Sequence, residues 1–352
     1  MSVALIQEVR QAIGFKQQSN LTTPLLAADM VSLRQTNTEL VQARPINEDD
    51  QNDLGKGVYV TNTFPSHWEA GGPWNGRQTS QALAIISAFG IGIRTSKTAT
   101  VATGGFVYVF DEPVFATAGL DLPVTTMAVQ IRTGGSAITD KAIAGLACEE
   151  FGINYRLGPG RDNATFTSQW LGTGTNDKPS TITIPTIYDE ASLNAGGITA
   201  LTICGFNYLT NKRFANVDFR WKNNIRDNSS YFPGSGSQDG YQLRGRMRRG
   251  TPTITLTATV ECDSGSSEED YLLAQTEGTG VITCEGAVID GGPEKHQYEI
   301  TFHRLSMKAT PIGESDGIAA YNIEYFVMEH PSNGVLTIEA ITDLDNILTV
   351  AT

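Results

Sequence analysis

Four histidines, His67, His296, His303 and His330, are spread along the chain without HExxH or HxxxH spacing. The motifs that set two zinc-ligating histidines on one helix face are therefore absent. His303 follows Phe302 in a strand-like stretch, which reads as the polar face of a sheet. Carboxylates gather at Glu48–Asp53, at Glu268–Asp270, and at Asp343 and Asp345 beside Asn346. None of these runs follows the alternating oxygen-ligand order of an EF-hand loop, so each reads as solvated surface. A GxSxG elbow, a GxGxxG fingerprint and a Walker A loop are all absent. Cys148, Cys204, Cys262 and Cys284 form no CxxC pair and read as free thiols of a reducing compartment. The expectation is no catalytic set, no metal and no cofactor.

Aromatic and basic residues carry more information. Trp68 and Trp74 flank Gly71-Gly72-Pro73 in WEAGGPWNGR, a stretch read as a loop. Such a pair suits either a carbohydrate platform or contact anchors between protein subunits, and the second is preferred. Tyr231 and Phe232 lie in DNSSYFPGSGSQDG, residues 227–240, the best candidate for a flexible excursion. In LRGRMRRG, strand alternation would put Arg244, Arg246 and Arg248 on one side, with Arg249 ending the block. These eight residues are the candidate subunit-interface positions.

The charge of the chain is divided. Its 352 residues include 25 Lys and Arg against 38 Asp and Glu, a net −13. Residues 261–352 hold 3 basic and 17 acidic residues, whereas 212–249 holds nine Lys or Arg against three Asp. A basic block followed by an acidic third suits salt links to an acidic neighbour better than nucleic-acid binding.

The elements that would position these residues are mainly β. Forty Thr, many alternating with Val, Ile or Leu, favour pleated half-buried strands. In TPTITLTATVEC the threonines 251–259 share one face, while Ile254, Leu256, Ala258 and Val260 share the other. Helical periodicity shows in TSQALAIISAFG, with Thr79 as cap, Gly90 as terminator, and Leu83, Ile85, Ile86 and Phe89 as the buried side. A Gly-Gly hairpin follows in TATVATGGFVYVF, and a second helix is read at Glu268–Gln275. Both helices sit in a strand–loop–helix–strand order. This suggests two tandem β-domains, 1–185 with an N-terminal arm and 186–352. The boundary is placed near 178–195. No leader and no run of 18 apolar residues is read, so no membrane partner is expected.

The run DLGKGVYVTNTFPS, the helix ending ISAFGIG, and the close EITFHRLSMKATPIGESDGIAAYNIEYFVMEHPSNGVLTIEAIT resemble bacteriophage tail tube proteins of long, non-contractile tails. The resemblance covers nearly the whole chain and consists of pattern and order. It implies tandem β-sandwiches or barrels, each with a short flanking helix, in a virion protein assembled in the host cytoplasm, self-associating in stacked rings around a channel through which DNA passes without specific binding. Two-domain members form trimeric rings that mimic six-fold symmetry; single-domain members form hexamers. Other tail proteins are implied partners. A capsid-decoration protein and a β-sandwich carbohydrate-binding module are the alternatives.

Overall fold

The computed structural model describes residues 7–34, 36, 41–49, 63–92, 95–99, 104–111, 121–133, 136–157, 164–173, 176–177, 183–210, 213–225, 231–233, 242–245, 247–263, 267–290, 292–315 and 317–350. The expected VYVTNTFP strand lies largely outside them, as do the acidic residues Asp50 and Asp53.

The architecture is mainly β. The first strands are β1 Gln7–Gly14, β2 Met30–Val31, β3 Gln42–Asp49, β4 Thr63–Pro73 and β5 Gly76–Arg77. Helix α1, Ser80–Ile91, leads to β6 Ser96–Ala99, β7 Phe106–Asp111, β8 Thr125–Thr133 and β9 Ser136–Arg156. Then come β10 Ala164–Gly172, β11 Asn176–Asp177, β12 Ile198–Ile203, β13 Phe206–Asn207 and β14 Phe214–Lys222. Next are β15 Tyr231–Pro233, β16 Gln242–Arg244 and β17 Thr253–Glu261, followed by helix α2, Glu268–Leu273. The last strands are β18 Glu277–Val288, β19 Lys295–Ala309, β20 Ile312–Ser315, β21 Ile318–Val327 and β22 Leu336–Thr342.

The two longest strands organise the rest. β9 carries β10 along one edge; its other edge takes β8 over the first half and β14 over the second. β19 likewise carries β18 on one edge, with β22 and then β21 on the other. β14, β17 and β21 pair in sequence and join the two systems. Alternation along β17 runs as the sequence implies: Leu256, Ala258 and Val260 are buried and Thr255, Thr257 and Thr259 face outward.

Residues 183–194, at the expected boundary, carry no strand or helix. Hydrogen-bonded ladders nevertheless cross it, β7 with β22 and β9 with β14. One hydrophobic cluster draws Phe89, Phe151 and Trp170 together with Phe219, Phe302 and Ile338. The two stretches therefore share a core.

Helix α1 corrects the sequence expectation twice. All twelve of its residues are buried, so it is enclosed by strands of both stretches and is not a flanking helix with one apolar side. Its polar side chains find partners inside: Ser87 Oγ lies 2.7 Å from Tyr298 Oη, and Gln81 Nε2 donates to Asp343 Oδ1. Thr79 does cap the first turn, its hydroxyl accepting from Ala82 N. The helix ends at Gly92 (φ 86°), two residues beyond the expected Gly90. Gly90 instead makes room, since a Cβ there would stand 2.4 Å from the Phe151 ring.

Candidate interface groove

A groove of about 790 Å3 opens where two hairpins meet. β3 and β4 form the first hairpin, β15 and β16 the second. They join through a parallel bridge between Gln242 and His67. Arg244 N donates to Thr173 O, so β16 continues the edge along which β10 pairs with β4. The stretch 68–77 and, from 227–240, Tyr231–Pro233, singled out separately in the sequence, thus flank one site.

Residues 68–77 are mostly strand rather than loop, and two glycines explain why the sequence misleads. Gly71 and Gly72 hold φ of 151° and 146°, and a Cβ on Gly71 would meet Trp170 O at 2.2 Å. Only glycine allows the β4 backbone to lie this close to β10.

Three of the eight candidate residues line the groove: Trp68, Tyr231 and Arg244. The Tyr231 ring stands edge-on to His67 at 6.1 Å, and the Arg244 guanidinium lies 6.0 Å from the same ring. Phe232 is 36% exposed on the same hairpin. Arg44 and Glu69 face each other across β3 and β4 and pair at 3.0 Å. Sequence reading missed Arg44, His67 and Glu69, because only cross-strand register brings them to the aromatic residues.

The other candidates are placed elsewhere. Trp74 is fully buried, edge-on to Phe166 at 5.1 Å and to Trp170 at 6.4 Å. It is a core residue, which removes it as an interface anchor and dissolves the Trp68–Trp74 platform. Arg249 is 6% exposed; its guanidinium donates to the carbonyls of Gly90 and Ile91 and lies 5.9 Å from the Trp221 ring. A cation at these carbonyls satisfies the end of α1 and complements its dipole, so Arg249 serves the core. Asn223 Nδ2 adds a bond to Gly90 O. Arg248 reaches Asp121 at 3.6 Å within the same chain, and Arg246 lies outside the described residues. The single-strand alternation expected for Arg244, Arg246 and Arg248 does not form, since β16 ends at Arg244.

The outward face of the central sheet mixes charges. Arg220 pairs with Asp218 at 2.8 Å, Lys222 approaches Glu150 at 3.9 Å, and Lys308 pairs with Glu324 at 2.8 Å. Further along, Glu299 and Glu339 stand opposite each other on β19 and β22. Burial, with the Glu299 charge added, raises the Glu339 carboxyl above its ordinary value.

Ser80 Oγ and His296 Nδ1 lie 2.8 Å apart, but Ser80 is fully buried and His296 is 6% exposed. This pair is part of the packing around α1. Among the described residues no cluster of three His, Cys, Asp or Glu could hold a metal ion, and no helix is long and apolar enough to cross a membrane. Burial lifts the Cys204 and Cys284 thiols to about 12, which makes them inert as nucleophiles.

The chain matches no protein-family model, and a comparison with curated proteins likewise finds no match.

Proposed function

We propose that this chain is a structural virion protein, a tail tube subunit that stacks in rings around a DNA-conducting channel. The observation that carries this reading is the double hairpin. It exposes Tyr231 and Phe232 on β15, beside a groove that Trp68, packed on the core, lines from β4. Aromatic side chains held this way suit protein contacts. The outward sheet face supports a conduit, because its lysines and arginines already face carboxylates. A duct must not retain DNA, and each cation offered to phosphate raises affinity through counterion release. A trimeric ring is the assembly that fits a chain of two fused units; a hexamer is the alternative.

Negative-stain microscopy of the purified chain tests the reading. Rings or tubes with a central hole are expected. Monomers or closed trimers that never lengthen would favour a capsid-decorating role, and glycan binding by a monomer would favour a carbohydrate module.

A further inference from the structure

Helix α2 presents an unusual surface for so short an element. Its first residue, Glu268, is fully buried against Arg213 at 2.8 Å, and its Tyr271 ring packs on Phe206 at 4.5 Å. These contacts fix which way the helix faces. Glu269 and Asp270 are exposed, and Leu273, at 81%, is the most exposed large apolar residue among the described ones.

The groove and α2 occupy opposite ends of the same strands. β10 meets β9 at Leu146 to Glu150 beside the groove, and Glu150 pairs with Lys222, which pairs with Thr253 at the start of β17. α2 follows the far end of β17, where Arg213 N–H groups reach Glu261 O and the Glu268 carboxylate. Nine residues of β17 separate the two ends, about 30 Å at the usual strand rise. One chain therefore cannot fill its own groove with its own α2.

We propose that the groove takes α2 of a second copy of this chain. Leu273 enters between Trp68 and Tyr231, and Glu269 and Asp270 meet Arg44 and Arg244. Different patches at opposite ends of one subunit make a heterologous contact, which propagates along the strands instead of closing a dimer. Arg244 of the basic block thereby meets carboxylates of the acidic third, while Arg44 exchanges its Glu69 partner, with charge setting register and the apolar contact holding it. This contact rests on the tube reading and supplies the stacking joint between successive rings.

Complementary variants test it on the full chain. Arg244→Glu makes the groove acidic; Glu269→Arg with Asp270→Arg makes α2 basic. Each alone should lower the pelletable assembly by about tenfold or more through like-charge contact, with the chain still folded by circular dichroism. Mixed in equal amounts they should co-assemble, since each variant's groove then faces an oppositely charged α2. Arg44→Glu, on a side chain 67% exposed, repeats the groove change should Arg244→Glu fail to fold. Wild-type tubes that persist in each variant overturn the α2–groove contact and leave the tube reading standing, as does a mixture that fails to assemble. A wild-type chain that stays monomeric overturns both.

Discussion

Gln242 and His67 are bridged in parallel, although 175 residues of chain separate them and each belongs to an otherwise antiparallel hairpin. The bridge gives the β15–β16 hairpin its hold on β4. Leu243, 4% exposed, is the buried anchor of that attachment, while Tyr231 and Phe232 remain at the surface.

Deleting 229–238 removes β15, whose residues Tyr231–Pro233 are exposed, and spares the buried Leu243. The variant is expected to fold, with a melting temperature close to wild type, and to give protomers or rings that fail to stack. Long tubes in the microscope would show that the hairpin merely decorates the outside.

Arg249→Ala leaves the buried carbonyls at the end of α1 short of a charged donor. A loss of about 2–3 kcal/mol is expected, measured as a lower urea midpoint. Arg248→Ala, on a partly exposed pair, should cost less than about 1 kcal/mol. Equal effects would contradict the capping role.

Gly90→Ala sets two terms against each other. Alanine gains about 1 kcal/mol of helix propensity, but the added Cβ meets the Phe151 ring at 2.4 Å. Overpacking a dense core costs about 1–3 kcal/mol, so net destabilisation is expected. Phe151→Leu in the same chain should recover part of it, a non-additivity that equilibrium denaturation of the four variants would reveal.

Acid should weaken the fold below pH 6.5. Burial pushes the His296 imidazole below its ordinary value of 6.5, against the smaller opposing pull of Asp343 and Asp290. His303 is lowered for the same reason, with Asp111 opposing. A depressed folded value means the unfolded chain binds protons first, so this stability is complete above pH 6.5 and lost as pH falls through the folded values. Glu339, raised by burial, acts in the opposite sense closer to its own titration range. The urea midpoint should fall between pH 6.5 and 5, and His296→Gln should flatten that slope. An unchanged slope would mean His296 is not the group responsible.

Duplex DNA should bind the assembled protein no better than a non-specific contact, with Kd weaker than about 10⁻⁴ M at physiological salt. A mobility-shift titration at several salt concentrations checks this. Tight, salt-sensitive binding would favour a packaging role.

Local rules were legible in the chain and distant ones were not. The period of two in β17 and the Thr79 cap depend on neighbours a few residues away, and both could be read directly. The end of α1 was misplaced because Gly90 and Gly92 look alike in sequence; only the Phe151 ring, 61 residues away, distinguishes their tasks. Arg249 looked like part of a surface block because its acceptors, the carbonyls of Gly90 and Ile91, lie about 160 positions upstream. Trp74 looked exposed for a similar reason: its glycine neighbours reflect the close approach of β4 to β10, not the aromatic cluster around Trp74. Of the groove, Trp68, Tyr231 and Arg244 were foreseen, and the rest depended on strand register.

The enclosure of α1 also sets a timetable for biosynthesis. The helix is complete by residue 91, yet part of its wall, β22, begins at Leu336. At 5–20 residues per second the ribosome needs roughly 12–50 s to span that gap. During this interval Leu83, Ile85, Ile86 and Phe89 wait without their final cover, and the ladder between β7 and β22 cannot close. Closure over such sequence separation is slow once the chain is released. The nascent protein therefore keeps an apolar helix short of its full cover until the last strands are made.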